Sequence, residues 1–416
     1  MSLALGSIVA MVCLIGVRRH GCLTLVGAFL AGCATYTLPA IIGLYMPPFH
    51  GTTRGFAAVS SDAQLVLATA WLVIGACLVA CSPLPASAAS ASVEGSETVA
   101  RARAFQMLCL AASSALYLWI ALGDDPLYFL RDRETIVISM EEQKLLWRWV
   151  NTFGLVISVY RSSILGTGLF GLMMIVNFIA GDRTMLLIAS TAVIVHACRD
   201  RSAWQVLFRW QFIAALVVLA ALLWAGKPIY LAVKMRSWAP IETLGDERYA
   251  TSQYASFEPL LVHALLEDVI RSGFSYPIGT VLMGALGQLL VVPSAFDIDS
   301  GGFNVAFTAA HYEGITYGLA FNYWAEAYSV GGLSGVMLFA ALLTFAVCWL
   351  DRCSARAGML ERVVIVTTGA VLAAYVYRNS LENTLAFIRQ ILIVGMPLLA
   401  ITYILVPARR TRARAA

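Results

Sequence analysis

Residues 163–198 read SILGTGLFGLMMIVNFIAGDRTMLLIASTAVIVHAC, two apolar runs joined at a Gly-Asp-Arg turn. Runs of this length and composition, over 163–180 and 184–198, read as a pair of bilayer-crossing helices, because a hydrocarbon core about 30 Å thick admits only helices or closed barrels. Barrel strands would be shorter and would alternate apolar with polar residues. The fold class is therefore all-α, and the question becomes why Asp182 and Arg183 stand at the tip of such a hairpin.

The same texture extends in both directions. Sixty per cent of the 416 residues are hydrophobic and 12% are charged, against roughly half and a quarter in soluble domains. Eleven crossings are expected, over 2–17, 22–45, 64–81, 105–122, 145–160, 163–180, 184–198, 210–226, 332–350, 362–378 and 385–405. The first run lacks a basic lead-in and a small-residue cleavage site, so it reads as a retained helix rather than a signal peptide. Three parts follow: helices in 1–226, a loop region over 227–331, and helices with a basic tail in 332–416.

Arginine-rich segments (VRRH, CRDRSAWQVLFRW, DRCSARAGMLER and the tail PARRTRARAA) fall on one side and GDR and RNSLEN on the other. By the positive-inside rule the first set is cytoplasmic and the N-terminus lies outside. All nine cysteines fall in proposed helices or at cytoplasmic ends, as a chain facing an oxidising outer compartment would place them. No Cys/His metal spacing is present, and neither a metal, a cofactor nor a nucleic-acid partner is expected. The Ser/Ala-rich stretch over 82–105 reads as a linker. The run YPIGTVLMGALGQLLVVPSAF (276–296) would score as a crossing. Parity excludes it, so it reads as a helix lying in the outer interface or folded over the bundle mouth, bracketed by Pro277 and Pro293.

With this topology Asp182 and Arg183 sit at an outer hairpin tip. Either they neutralise each other, or Arg183 offers its planar fork to a phosphate. Arg378 in YVYRNSLEN, Arg389 in LAFIRQILIV and Arg271 in EDVIRSGFSYP fall on the same side. Singly, each has a plain reading as a snorkelling or solvated charge; converging, the four would make a diphosphate site at headgroup depth. The ninth crossing is approached through HYEGITYGLAFNYWAEAYSVGG, which carries His311, Tyr312, Tyr317, Asn322, Tyr323 and Glu326. An aromatic belt accounts for part of this. Glu326 and His311 are candidate bases for a hydroxyl. Asp182, Tyr276, Tyr312, Tyr317, Asn322 and Tyr323 are candidate sugar-binding residues. The acidic pieces DID (297–299) and GDDP (123–126) read as loop acids, and no nucleotide or protease fingerprint occurs in a supporting context.

Taken in order, AGDRTMLL (180–187), GFSYPIGTVLMGALGQLLVVPSAF (273–296), YGLAFNYWAEAYSVGGLSGVMLFA (317–340) and YVYRNSLENTLAFIRQ (375–390) resemble the motifs of bacterial O-antigen or oligosaccharide repeat-unit polymerases. The turn carries Asp182 where that family commonly has Ser. The resemblance covers roughly residues 178–395 and implies a metal-independent inner-membrane glycosyltransferase acting on undecaprenyl-diphosphate-linked oligosaccharides at the periplasmic face. Its arginines would stabilise the departing diphosphate, and a chain-length regulator is an implied partner. An O-antigen ligase, to which a loop histidine such as His311 is suited, and a flippase of the same lipid-linked sugars are the competing readings.

Overall fold

The structure is a computed structural model that describes residues 1–21, 23–47, 56–81, 96–123, 126–130, 141–180, 183–198, 228–229, 231–233, 235–242, 258–290, 302–312 and 322–407. Apart from a two-residue ladder pairing Leu44–Tyr45 with Ala57–Ala58, the regular structure in these residues is helical. In chain order the helices are α1 (Ser2–His20), α2 (Leu25–Ile42), α3 (Ser61–Ala80), α4 (Ser96–Gly123), α5 (Glu141–Tyr160), α6 (Ile164–Ile179) and α7 (Arg183–Cys198), then α8 (Glu258–Ser272), α9 (Ile278–Leu289), α10 (Phe303–His311), α11 (Tyr323–Arg356), α12 (Met359–Ala374) and α13 (Leu381–Leu405). A single turn at Ala239–Glu242 and 3-10 turns at Tyr128–Leu130 and Val376–Arg378 complete the set.

The helices begin where the sequence supplies a cap. Thr24, Ser60, Ser163, Asn322 and Ser380 each accept a backbone N–H of the first turn they precede, satisfying amides that lipid cannot. Six helices, α1 to α4, α11 and α13, are long and apolar enough to cross a membrane. On α3, Leu65, Leu72 and Val79 point outward at seven-residue spacing while Val66, Ala70, Trp71 and Ile74 are buried. On α11, Leu338, Leu342, Phe345 and Trp349 form a similar outer stripe. This is a membrane-embedded helical protein whose apolar residues face both inward and outward. Packing inside is tied by side-chain hydrogen bonds such as Trp71 Nε1 to Thr37 Oγ1 at 2.9 Å and Ser113 Oγ to Asn151 Oδ1 at 2.7 Å. Bonds of this kind contribute on average about 0.6 kcal/mol each in a membrane bundle. The centre is α12, buried along nearly its whole length and packed on α2, α7, α11 and α13.

Expected and observed helices differ mainly at polar ends. The fourth helix starts at Ser96, inside the stretch expected to be a linker, because Glu97 and Arg101 pair at 2.6 Å across one turn and Arg101 bonds the Val406 carbonyl at 3.0 Å. The eighth expected crossing, 210–226, lies outside the described residues. The ninth starts at Tyr323 but breaks at Gly331 and Gly332, the latter at φ 58, ψ −139. That left-handed geometry is open to glycine at no steric cost. Tyr323–Val330 is thus a separate short helix set on top of the crossing. Among the described residues of 227–331, α8, α9, α10, the turn at Ala239–Glu242 and the short Tyr323–Val330 piece stand where one helix was expected.

Helix ends sort into two groups. At one, Arg19 Nη2 donates to the Val79 carbonyl, Leu25 N donates to Asp351 Oδ1, and Gln106 Nε2 donates to Ser158 Oγ. This gathers the ends of α1, α3, α5, α11 and α13 with the starts of α2, α4, α6 and α12. The opposite end holds the start of α11, the turn at Arg378, the start of α13, and all of α8.

Candidate functional site

The polar groups of this second end are organised by α8. At its start Glu258 Oε1 lies 2.8 Å from Arg378 Nε and 3.4 Å from the Tyr36 hydroxyl that donates to it. In its middle the Val262 carbonyl accepts from Asn322 Nδ2 at 3.2 Å. One turn on, Glu267 accepts the Ser60 backbone N–H at 2.8 Å and stands 3.5 Å from the wholly buried His263. Burial pushes the Glu267 carboxyl up, but the hydrogen bonds from His263 and from Ser60 outweigh it and hold the group below the ordinary glutamate value. At the far end Asp268 accepts from the Tyr312 hydroxyl, and Arg271 Nη2 donates to Tyr45 Oη at 3.2 Å. Burial, then Asp268, pushes the Tyr312 hydroxyl up.

This separates arginines that the sequence placed together. Arg378 is fixed at position 258 of α8 and Arg271 leaves it thirteen residues later, about 20 Å along the axis at 1.5 Å per residue. Arg389 is elsewhere again: its Nη1 donates to the Leu290 carbonyl at 3.2 Å and so caps the end of α9. Arg183 opens α7, which packs on α12 and α5, and the opposite end of α7 meets Tyr160 through the His196 ring. Arg183 therefore begins its helix at the same bundle end as Arg378. The Arg183 side chain, Asp182 and Tyr317 lie outside the described residues. The three arginines whose side chains are described, Arg271, Arg378 and Arg389, do not meet at one point; Arg378 is the one set beside Glu258, Tyr36 and the Tyr375 ring at 5.8 Å.

The segment expected to lie in the interface is α9, and its placement is more specific. Gly284 lies against Glu382, near the start of α13, and Leu290 against Arg389, two turns further on. The two helices thus run parallel, and α9, with its 12 residues, descends about 18 Å beside the bundle with Leu282, Met283, Leu286 and Leu289 outward. The chain arrives through Tyr276, which is 5% exposed and whose N–H donates to the Ser329 carbonyl at 3.0 Å. Tyr276 belongs to an aromatic group with Phe274, Phe303 and Phe307. His311 packs on the rings of Phe274 and Phe307 and is exposed. Asn322 is used at both polar ends, capping α11 through the Trp324 N–H and holding α8. Tyr323 is buried, its hydroxyl donating to the Phe339 carbonyl at 3.4 Å.

Glu326 is the centre of this end. It is 1% exposed; Oε2 accepts the Leu381 N–H at 2.7 Å, the first amide of α13, while Oε1 has no hydrogen-bond partner. The Tyr276 hydroxyl stands nearby: burial, then the Glu382 and Glu326 carboxylates, push it up to about 12. Sequence reasoning found Glu326, Tyr276 and Arg378 but passed over Glu258, Glu382 and the His263–Glu267 pair. The last had a local signal, a His and a Glu one helical turn apart on EPLLVHALLEDVIRS. Glu382 reads as an ordinary first-turn acid favoured by the helix dipole.

Geometrically, the site offers a dry carboxyl with one free oxygen, a buried phenol beside it, and an arginine held by an acid at the same bundle end. Among the described residues no group of three or more His, Cys, Asp or Glu side chains is arranged to hold a metal ion. Comparison with family models, with curated proteins and with solved structures finds no match to this chain.

Proposed function

We propose that this protein is an oligosaccharide polymerase of the inner membrane, moving a growing glycan from its undecaprenyl-diphosphate carrier onto the terminal sugar of a new lipid-linked unit. The reading combines the resemblance over 178–395 with one structural observation, the buried Glu326 carboxyl whose Oε1 lacks a partner at the bundle end that also holds Arg378. An acceptor hydroxyl needs a base, and a departing diphosphate needs cations. Arg378 and Arg183 are assigned that second role. Arg271 and Arg389 are assigned to holding α8 and α9 in place, because their donors are engaged there.

The proposed topology has eleven crossings. The ends of successive helices alternate through α7 and again through α11 to α13, and the chain passes from one bundle end to the other between Cys198 and Glu258. The arginine-rich end, with Arg18, Arg19, Arg352 and Arg356, is the cytoplasmic side. That puts α8, α9, α10 and Glu326 at the periplasmic face. A chain-length regulator is a proposed partner there.

His311, exposed at the end of α10, favours the second reading, a ligase that hands the glycan to lipid A core. Gene deletion followed by glycan analysis decides. Single repeat units on lipid A core support the polymerase. Long carrier-linked chains with no attached O-antigen mean a ligase, and units trapped on the inner leaflet mean a flippase.

A further inference from the structure

Glu326 is not the only buried acid at its site. Glu382, on the first turn of α13, is 4% exposed and interacts electrostatically with Glu326, while the Leu381 amide just before it is already bonded to Glu326 Oε2. From the other side α9 closes on Glu382 so tightly that a Cβ at Gly284 would come within 1.8 Å of Oε1. The groups facing the two carboxyls are Tyr276 from the α8–α9 link and Tyr323 from α11. Among the described side chains neither carboxyl forms an ion pair with an arginine, lysine or histidine. Two acids in a dry site without a cation cannot both ionise cheaply, and such pairs hold one proton between them. The oxygen of Glu326 without a partner is the acceptor left for that proton, or for the one taken from a substrate.

We propose that Glu326 and Glu382 form a single proton-holding centre, roofed by α9 through Gly284, in which Glu382 is a positioning residue that sets when Glu326 accepts a proton. Its use rests on the polymerase reading. There the acceptor O–H proton passes to the ionised carboxylate as the acceptor oxygen bonds the anomeric carbon. The bond from that carbon to the diphosphate oxygen breaks, and its electron pair leaves with the diphosphate.

The test is infrared difference spectroscopy on the purified full-length protein in lipid nanodiscs, following the carbonyl stretch of protonated carboxyls from acid to alkaline pH. The wild type is expected to show a band that persists above the range of ordinary glutamates. Glu382→Gln removes the repulsion and is expected to move its titration to lower pH, Glu382→Asp to restore it in part, and Glu326→Gln to delete it. Gly284→Ala, whose new methyl would press directly on the Glu382 carboxyl, is expected to broaden or lower the same transition. A band that titrates identically in wild type and Glu382→Gln overturns the proposal. So does a band removed by sodium ions at fixed pH, which would make the pair a monovalent-cation site. In parallel, the rising limb of the pH profile for chain elongation on purified lipid-linked units is expected to shift down with the band in Glu382→Gln. Spectral shifts without any elongation in the wild type would sink the polymerase reading and leave the pair standing; elongation with unmoved spectra would do the reverse.

Discussion

One helix carries two buried acids that do the same job at opposite ends of the bundle. Near the end of α11, Asp351 Oδ1 accepts the Leu25 N–H at 3.1 Å; near its start, Glu326 Oε2 accepts the Leu381 N–H at 2.7 Å. Each thereby satisfies the first amide of a neighbouring helix and meets the positive end of its dipole. The surroundings differ. Asp351 lies at the end that holds Arg352, Arg356 and Arg19, where guanidinium groups bind helix-terminal carbonyls. Glu326 faces a second acid and a phenol. Helix capping accounts for one oxygen of each acid. What sets Glu326 apart is its company, the Glu382 carboxyl and the Tyr276 phenol.

The sharpest way to break this contrast is to neutralise each acid. Glu326→Gln keeps an acceptor for the Leu381 amide but removes the proposed base, and is expected to lower turnover about 10²- to 10⁴-fold while the lipid-linked donor still binds. Asp351→Asn is expected to leave turnover at the wild-type level. Equal losses of binding and turnover in Glu326→Gln would reduce it to a cap like its counterpart.

The arginines come next. Arg183→Ala and Arg378→Ala are each expected to cost about 10² to 10³ in rate, seen as loss of long surface glycan at normal protein level. Arg271→Ala and Arg389→Ala are expected to shorten the glycan ladder less than Arg378→Ala, since their donors hold α8 and α9. A normal ladder from either of the first two variants removes that residue from the site.

Smaller effects test the scaffold. Because the folded-state value of Glu267 is depressed, its contribution to stability is present above the unfolded glutamate value of about 4.3 and is lost as pH falls through the folded one. The thermal midpoint in detergent is expected to fall over that acid window, and the fall to be shallower in Glu267→Gln. An unchanged acid limb would show that His263 and Ser60 do not hold the group. Smallest, Trp71→Phe removes the bond to Thr37 and is expected to lower stability by about 0.6 kcal/mol; a larger loss, read from unfolding in mixed detergents, would show that packing rather than the bond is at stake.

Much of the scaffold was legible in the chain, because apolar runs of bilayer length leave a helix little alternative. Ten of the eleven expected runs are helical, six of them long and apolar enough to cross a membrane, and the remaining one, 210–226, lies outside the described residues. Legibility failed where polar residues thin the hydropathy. The Ser/Ala-rich start of α4 is helical, and α8 went unread because His263, Glu267, Asp268 and Arg271 interrupt its apolar residues. At the site, residue types were readable and distances were not. Glu326 stood out as an acid that no aromatic belt calls for. That Arg271 and Arg378 occupy the two ends of α8 depends on a helix whose neighbours lie over two hundred positions away, as the contacts of Tyr36 and Tyr45 show. Glu382 was masked by its position, since an acid in a helix's first turn is ordinary until a second acid is folded against it.

The glycine break in α11 bears on how this protein tolerates its surroundings. With backbone hydrogen bonding interrupted at Gly331 and Gly332, tilting of the lower segment to match a thicker or thinner bilayer is absorbed at the joint rather than passed on to Glu326. The surroundings of Glu326 and the hydrophobic matching of the crossing are thereby mechanically uncoupled at the glycine joint.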